Sequence, residues 1–390
     1  MAAFAPEEYA GRIERTRERM RARGIAILLI ADPANMYYLT GYDGWSFYVP
    51  QVVVLPLDAG EPLWIGRQMD VRAAHVTTIL KRESVIGYPD DYVQAPHKHP
   101  FDFVADVLVE RGWDGKVLGV EMDSYYFTAA SYDALVRKLP NARFQDAYLL
   151  VNWVRAIKSP AEIEYMRQAA RIMDSVMDTA IRAVEPGVRQ CDAVAEIYRA
   201  QIAGTQEFGG DYTAIVPMLP TGEGTSTPHL TWTDQPFVKG EATILELAGC
   251  RLRYHCPMAR TMFLGKPPQK LVDAGKFVVE GVQAALDAAR PGARCEDVEA
   301  AWRHAIARSG LVKDSRIGYS CGLNYPPDWG EHTMSLRPGD LTELEPNMTL
   351  HLIPGIWLED WGIEISETFR VTETGSEPLC DFPRQLFVKD

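Results

Sequence analysis

Two stretches of this chain, about a hundred residues apart, repeat one pattern. Val184-Glu185-Pro186-Gly187 leads into Cys191-Asp192-Ala193-Val194, and Ala289-Arg290-Pro291-Gly292 leads into Cys295-Glu296-Asp297-Val298. Each time a helical pattern ends at Pro-Gly and a second amphipathic helix begins a few residues on. The glycine is free to take the left-handed backbone region, and the acidic residues suit the next helix N-terminus. Strand-like sequence follows each unit. The matched pair predicts a duplicated αβ half-domain, so that residues 156–390 form one domain of two related halves whose sheets face a central cavity.

The remaining residues, 1–155, read differently. Tyr9, Ile13 and Met20 lie on a helical period, and Ile25-Ala26-Ile27-Leu28-Leu29-Ile30 is a short apolar run suited to a buried strand. Val52–Leu55 and Leu63–Ile65 follow around the turn signal Asp58-Ala59-Gly60, and Val117–Val120 comes after a helical pattern near 101–111. Helices alternating with strands predict an α/β domain with a mixed sheet. At the boundary, Ser159 can cap a helix, Pro160 suits its first position and Glu162 completes the capping box. Ile163, Met166, Ala170, Met173 and Met177 then extend that helix to about Val184.

A chain of 390 residues with 40 Lys+Arg against 53 Asp+Glu carries a formal charge of −13. That balance argues against non-specific nucleic-acid binding, which needs a cationic face. The N-terminal stretch is charged and amphipathic rather than a signal peptide, and no run of apolar residues is long enough to span a membrane. The six cysteines are scattered and form no CxxC pair. Reduced thiols in a cytoplasmic protein are expected.

Candidate chemistry gathers in four stretches of the second domain, around 227–232, 244–261, 318–329 and 351–368. Glu246 stands in Ala242–Ala248, an otherwise uncharged stretch that reads as a core strand, where a carboxylate is costly unless paired or used. It is either the buried partner of a cation such as Arg260 or a working acid. Glu364 and Glu367 occupy a similar strand, or flank a surface edge. His229 follows Pro228 on a loop able to aim it into a cavity, whereas His332 reads as loop surface. Trp329, Trp357 and Trp361 read as packing or pocket wall. No phosphate loop, GxSxG elbow or HExxH motif is present.

The order of these motifs resembles the creatinase/aminopeptidase P superfamily, the pita-bread fold. The resemblance rests on Ala156-Ile157-Lys158-Ser159-Pro160, the strand ending Arg260-Thr261, Leu344-Glu345-Pro346-Asn347-Met348 and a terminal strand near Glu364–Val371. It implies a creatinase-type mixed-sheet domain over 1–155 and a pita-bread catalytic domain with a pseudo-twofold repeat over 156–390. Metallopeptidases of the superfamily hold two metals through Asp, Asp, His, Glu and Glu. Those positions fall here on Glu246, Pro257, Tyr319, Ile353 and Ser366, so no dinuclear site, and no metal or other cofactor, is expected.

Creatinase is the superfamily's precedent for catalysis without metal, and His229 falls at its catalytic histidine. The replacements from Glu246 through Arg253-Tyr254-His255-Cys256-Pro257 to Arg260-Thr261, with Tyr325-Pro326-Pro327-Asp328-Trp329-Gly330-Glu331, are similar to those of the ectoine hydrolases. That resemblance implies hydrolytic ring opening of ectoine, a zwitterionic cyclic amidine, with 5-hydroxyectoine a further substrate. The product would be an N-acetyl-2,4-diaminobutyrate, handed to a deacetylase. Glu246 and His229 would be catalytic. Arg260 and Tyr319 would hold the substrate carboxylate, His255, His351 and Glu364 would complete the pocket, and Trp361 would be a wall. A homodimer is implied, with Trp45 and Phe47 reaching the site of a neighbouring subunit.

Three alternatives stand beside this reading. One is a creatinase-like hydrolase of another small amidine or guanidine. Another is a mononuclear metallohydrolase built from Glu246, His255, His351 and Glu364. The last is an inactive pita-bread protein that binds peptides.

Overall fold

The computed structural model describes residues 3–58 and 60–390, in two compact units, one ending at Arg155 and one beginning at Ala156. The first unit runs α1 (Pro6–Ala22), β1 (Ile27–Ile30), α2 (Pro33–Thr40), β2 (Val52–Pro56), β3 (Leu63–Arg67), α3 (Val71–Thr77), β4 (Val85–Tyr88), α4 (Pro100–Glu110), β5 (Val117–Val120), α5 (Ala129–Lys138), β6 (Arg143–Asp146) and α6 (Leu150–Arg155). Its six strands form one sheet in the order β4-β3-β2-β1-β5-β6. β1 runs antiparallel to β2 and parallel to β5, so the sheet is mixed. The all-apolar sequence of β1 follows from burial of all four residues, with Ile27 and Leu29 sharing a core with Phe101 and Leu108 of α4.

The second unit opens with α7 (Pro160–Ala183) and α8 (Gln190–Ala203), then β7 (Ala242–Arg251) and β8 (Tyr254–Leu264), α9 (Gln269–Ala288) and α10 (Cys295–Ile306). Short strands complete it: β9 (Gly318–Cys321), β10 (Gly330–Leu336), β11 (Thr349–Leu352), β12 (Ile356–Trp357), β13 (Gly362–Ile363), β14 (Glu367–Val371), β15 (Ser376–Pro378) and β16 (Phe387–Lys389). The capping box at the start of α7 is present, with the Glu162 N–H donating to Ser159 Oγ and the Ser159 N–H donating to Glu162 Oε2. Ile172, Met173, Val176 and Met177 on one face of α7 pack against Leu245, Leu247, Met258 and Met262 of the β7–β8 hairpin.

The duplicated units repeat in their hydrogen bonds as well as their sequence. Gly187 donates to the Phe237 carbonyl as Gly292 does to that of Leu344. Phe237 donates back to Val188, and Leu344 to Ala293. Cys191 donates to Thr233, and Cys295 to Thr342. Both glycines take positive φ, 85° and 80°, but three residues beyond the helix caps Val184 and Ala289. They turn the chain onto its returning partner strand rather than closing the helix directly.

Two sheets meet at β8. One has the order β16-β8-β7 and the other β10-β9-β11-β14-β15. Residues 364–366 bridge them: the Ser366 N–H donates to the Ala259 carbonyl, and the Glu364 N–H to Thr261 Oγ1. His332, expected on a loop surface, lies instead in β10, half-buried, with its Nε2 2.7 Å from Asp328 Oδ2.

Candidate active site

Period-two alternation along β7 sorts its side chains. Leu245 and Leu247 enter the core beneath α7, and Glu246 between them points the opposite way. Both backbone groups of Glu246 are paired with Met218, at 3.0 and 3.1 Å, and the small Ala259 stands opposite it on β8. Glu246 lines a cavity of about 300 Å³, which also receives His229, Tyr319, Lys313, Arg316 and Trp357. A site of this size suits a small molecule.

Glu246 is 6% exposed, and its carboxylate has no hydrogen-bond partner among the described residues. Burial, and next the negative charge of Asp328, push its pKa up to about 7. Glu364 is more strongly raised, by burial first and by Glu246, against the pull of Lys313. Its Oε1 is buried without a partner. The negative charge of Glu246 thus adds to burial in favouring the protonated form of Glu364. Asp328 behaves in the opposite way. Burial pushes it up, but the His332 ring nitrogen, the Gly330 N–H at 2.9 Å and Arg316 outweigh burial and hold it below its usual range.

Cations face these acids. Burial lowers Lys313 to about 8, opposed by Glu364. Its Nζ donates to the Gly355 carbonyl at 2.8 Å and lies 4.3 Å from the centre of the Trp357 ring. Arg316 donates to Ser335 Oγ at 3.0 Å, and its guanidinium lies 4.5 Å from the centre of the Tyr319 ring. One cavity therefore presents the Glu246 carboxyl and two cations, Lys313 and Arg316, to the same occupant. His229 holds a left-handed backbone, φ 69°, which is uncommon outside glycine and found where the fold constrains a functional loop.

Tyr319 ends a buried chain of polar groups. Trp329 Nε1 donates to its hydroxyl at 2.8 Å, and His351 Nδ1 lies 3.1 Å from the same oxygen. His351 Nε2 is 2.8 Å from Ser366 Oγ, which accepts the Ala259 N–H at 2.7 Å. Burial, and after it the charge of Arg260, lowers His351 to about 3.

Glu246, His229 and Tyr319 line one cavity, His229 from an exposed loop, while Glu364 and His351 are buried and are not among its lining residues. Three expectations are corrected. Arg260 is fully buried and spends its guanidinium on Glu367 and on the carbonyls of Ala259, Ser366, Phe382 and Pro383. It has no donor left for a substrate carboxylate. His255 accepts the Ala214 N–H on Nε2 at 2.9 Å and faces the Gly322 carbonyl with Nδ1, so its ring fixes backbone, and burial lowers it to about 4. Trp361 lines a different cavity, beside Glu241 and Lys270. Trp45 and Phe47 belong to the first unit, where their ring centres lie 4.8 Å apart with the planes tilted and Phe47 meets Tyr126 edge-on.

Lys313 and Arg316 were not anticipated. Val312-Lys313-Asp314-Ser315-Arg316 looks like an ordinary polar loop, and its one cue is that it feeds β9, the strand carrying Tyr319. Trp357, read only as packing or wall, is a cavity wall that also covers Lys313.

The five superfamily metal positions come together but do not offer a cage. Pro257 and Ile353 have no side-chain donor, the Tyr319 hydroxyl is held by Trp329 and His351, and Ser366 is held by Ala259 and His351. With both nitrogens of His255 engaged, the mononuclear set of Glu246, His255, His351 and Glu364 does not assemble either. Among the described residues no three His, Cys, Asp or Glu side chains are placed to hold a metal ion.

Known proteins share this architecture. The family model for the creatinase/prolidase N-terminal domain matches residues 12–157, and that for metallopeptidase family M24 matches residues 164–373. The chain is 52% identical to an ectoine hydrolase of Halomonas elongata, over 99% of this chain and 98% of that protein. It is 47% identical to an uncharacterized hydrolase/peptidase of Sinorhizobium fredii, over 99% of each. A recombinant prolidase from Thermococcus sibiricus superposes with a TM-score of 0.83 at 21% identity, over 97% of this chain and 99% of that one, which extends the likeness of fold. A creatinase-type domain followed by a pita-bread domain, its metal positions mostly replaced, places this chain in metallopeptidase family M24.

Proposed function

We propose that this chain is an ectoine hydrolase that opens the cyclic amidine without a metal ion, giving an N-acetyl-2,4-diaminobutyrate. The observation that carries the reading is the charge arrangement of one cavity, whose lining sets the carboxyl of Glu246 with the cations Lys313 and Arg316. A zwitterion with an amidinium at one end and a carboxylate at the other complements that arrangement. The likeness to the Halomonas elongata ectoine hydrolase supports the choice among such zwitterions.

An amidinium carbon is electrophilic as it stands. Glu246 takes one proton from water as the water oxygen bonds to that carbon, and the C=N electron pair moves onto nitrogen. The C–N bond then breaks with its pair on the departing nitrogen, which receives the proton from Glu246. The remaining hydroxyl proton follows by the same route, leaving an amide carbonyl and an ammonium. His229, on the cavity wall, serves these proton movements, and Lys313 with Arg316 holds the substrate carboxylate in place of Arg260.

The proposal includes a homodimer, in which a second copy supplies Trp45 and Phe47 to the cavity. It includes cytoplasmic residence, favoured by six free thiols, and a deacetylase that consumes the product. The test is turnover of ectoine by the purified full-length protein, with and without a chelator. Conversion to the N-acetylated diamine at the same rate in both supports the reading. Unchanged ectoine overturns it, as does activity that a chelator removes and a metal restores.

A further inference from the structure

The polar chain behind Tyr319 has a direction, and proton counting fixes it. Start from the donors that have no choice. The Ala259 backbone N–H and the Trp329 indole N–H can only donate, so Ser366 Oγ and Tyr319 Oη each accept one hydrogen bond. Ser366 is fully buried, and among the described residues the acceptor within reach of its hydroxyl proton is His351 Nε2 at 2.8 Å. If that nitrogen carried the ring proton, Ser366 would accept twice and its own proton would be left buried without a partner, an arrangement folded proteins avoid. Ser366 therefore donates to Nε2, and the ring proton sits on Nδ1, 3.1 Å from Tyr319 Oη. The tyrosine oxygen now accepts from both Trp329 and His351. One proton in the network remains unspent, the Tyr319 hydroxyl proton, and Tyr319 lines the cavity with Glu246.

From this count we infer that Tyr319 is a further catalytic residue, a fixed hydrogen-bond donor to the oxygen that becomes bonded to the amidine carbon, with His351 and Ser366 as the residues that set its direction. The inference rests on the hydrolytic reading above and deepens it. In the addition step the new C–O bond forms on the substrate carbon, and negative charge grows on that oxygen as its proton leaves toward Glu246. A donor already aimed there needs no reorganisation during the reaction. Tyr319 forms no covalent bond and keeps its own proton. Burial, and after it the charge of Glu246, raises its pKa well above the usual value, so it donates a hydrogen bond rather than giving the proton away. His351, lowered to about 3, is neutral and carries one ring proton, as the count requires. Three of the residues involved occupy or adjoin positions where the superfamily's metallopeptidases place ligands, and a directed hydrogen-bond chain stands in the same space.

Two measurements test this separately from the substrate assignment. The first needs no substrate: proton–nitrogen correlation spectra of the histidine rings in the full-length protein, with His351 identified by the signal missing in His351→Asn. An Nδ1-protonated neutral ring is expected, and an Nε2-protonated ring overturns the direction of the chain. The second is ectoine kinetics on Tyr319→Phe, His351→Asn and His351→Gln, each checked for folding by thermal melting. Loss of one such donor lowers kcat by about 100- to 1,000-fold with KM little changed. Asparagine can place an N–H where Nδ1 stood and is expected to retain most activity, whereas glutamine cannot and should fall toward Tyr319→Phe. A rise in KM at unchanged kcat for Tyr319→Phe would make the phenol a binder of substrate carboxylate and overturn the inference. Equal losses for the asparagine and glutamine variants would overturn the directing role of His351. If the wild type leaves ectoine unchanged, the proposed function fails while the ring-proton measurement still judges the direction of the chain.

Discussion

Arg260 donates to Glu367 Oε1 at 2.6 Å, with both side chains buried and neither lining the cavity that holds Glu246. The same guanidinium binds the carbonyls of Phe382 and Pro383, tying the C-terminal segment to β8. Breaking a buried pair by removing one partner strands the other charge, at about 3–5 kcal/mol. Arg260→Ala should lose stability on that scale by calorimetry or denaturant titration, and KM of the folded protein should hold. A raised KM without lost stability would return Arg260 to substrate binding.

The contact between α7 and β7 depends on a missing side chain. A Cβ on Gly249 would lie 2.1 Å from the Ala169 carbonyl oxygen and 2.7 Å from the Met173 nitrogen, both helix backbone. Neither can step aside alone, so Gly249→Ala should force the helix outward and cost at least about 1–3 kcal/mol. Gly115, which has open space around it, is the control. Alanine there should leave the melting temperature unchanged or slightly higher. Equal melting temperatures for the two variants would contradict the close approach.

How far the sequence shows all this depends on whether a signal is local. The Ser159–Glu162 capping box, the apolar run of β1 and the two Pro-Gly units are local patterns, and they mark their elements within a few residues. Glu246 was legible because a carboxylate in an apolar strand is anomalous without any knowledge of its neighbours. Arg260 looks like a substrate cation because its type suits a carboxylate, while all its partners but the adjacent Ala259 carbonyl lie 106 to 123 residues away. Lys313 escaped notice for the converse reason. In sequence it is a lysine in a polar loop, and only the fold buries it against Gly355 and Trp357.

Glu246 gives a pH prediction with a definite sign. Its folded-state pKa, about 7, lies above the ordinary 4.5, so the folded protein holds a proton that the unfolded chain releases between those values. Stability from this group is therefore full below about 4.5 and is lost as pH rises through 7. Glu246→Gln removes the titration. It should abolish turnover, and above pH 7 it should be more stable than the wild type by up to about 3 kcal/mol, with the gap closing toward pH 4.5. Chemical denaturation of both proteins at several pH values checks this, and a gap that widens at low pH would contradict the assigned burial.

Lys313 and Arg316 make a final, separable prediction, because both act on the substrate's carboxylate end and neither is assigned a proton. Lys313→Met and Arg316→Ala should each raise KM for ectoine by about 10- to 100-fold, the scale of a lost charge-assisted hydrogen bond, with kcat much less affected. Each should bind a cyclic amidine lacking the carboxylate as the wild type does. Lys313 also loses its charge as pH rises through about 8, so the wild-type KM should climb above that pH. In Lys313→Met the climb should be absent, because no titrating group remains at that position. Steady-state kinetics of both variants between pH 6 and 10 would separate the two residues. An unchanged pH dependence in Lys313→Met would remove Lys313 from the carboxylate site and leave that task to Arg316.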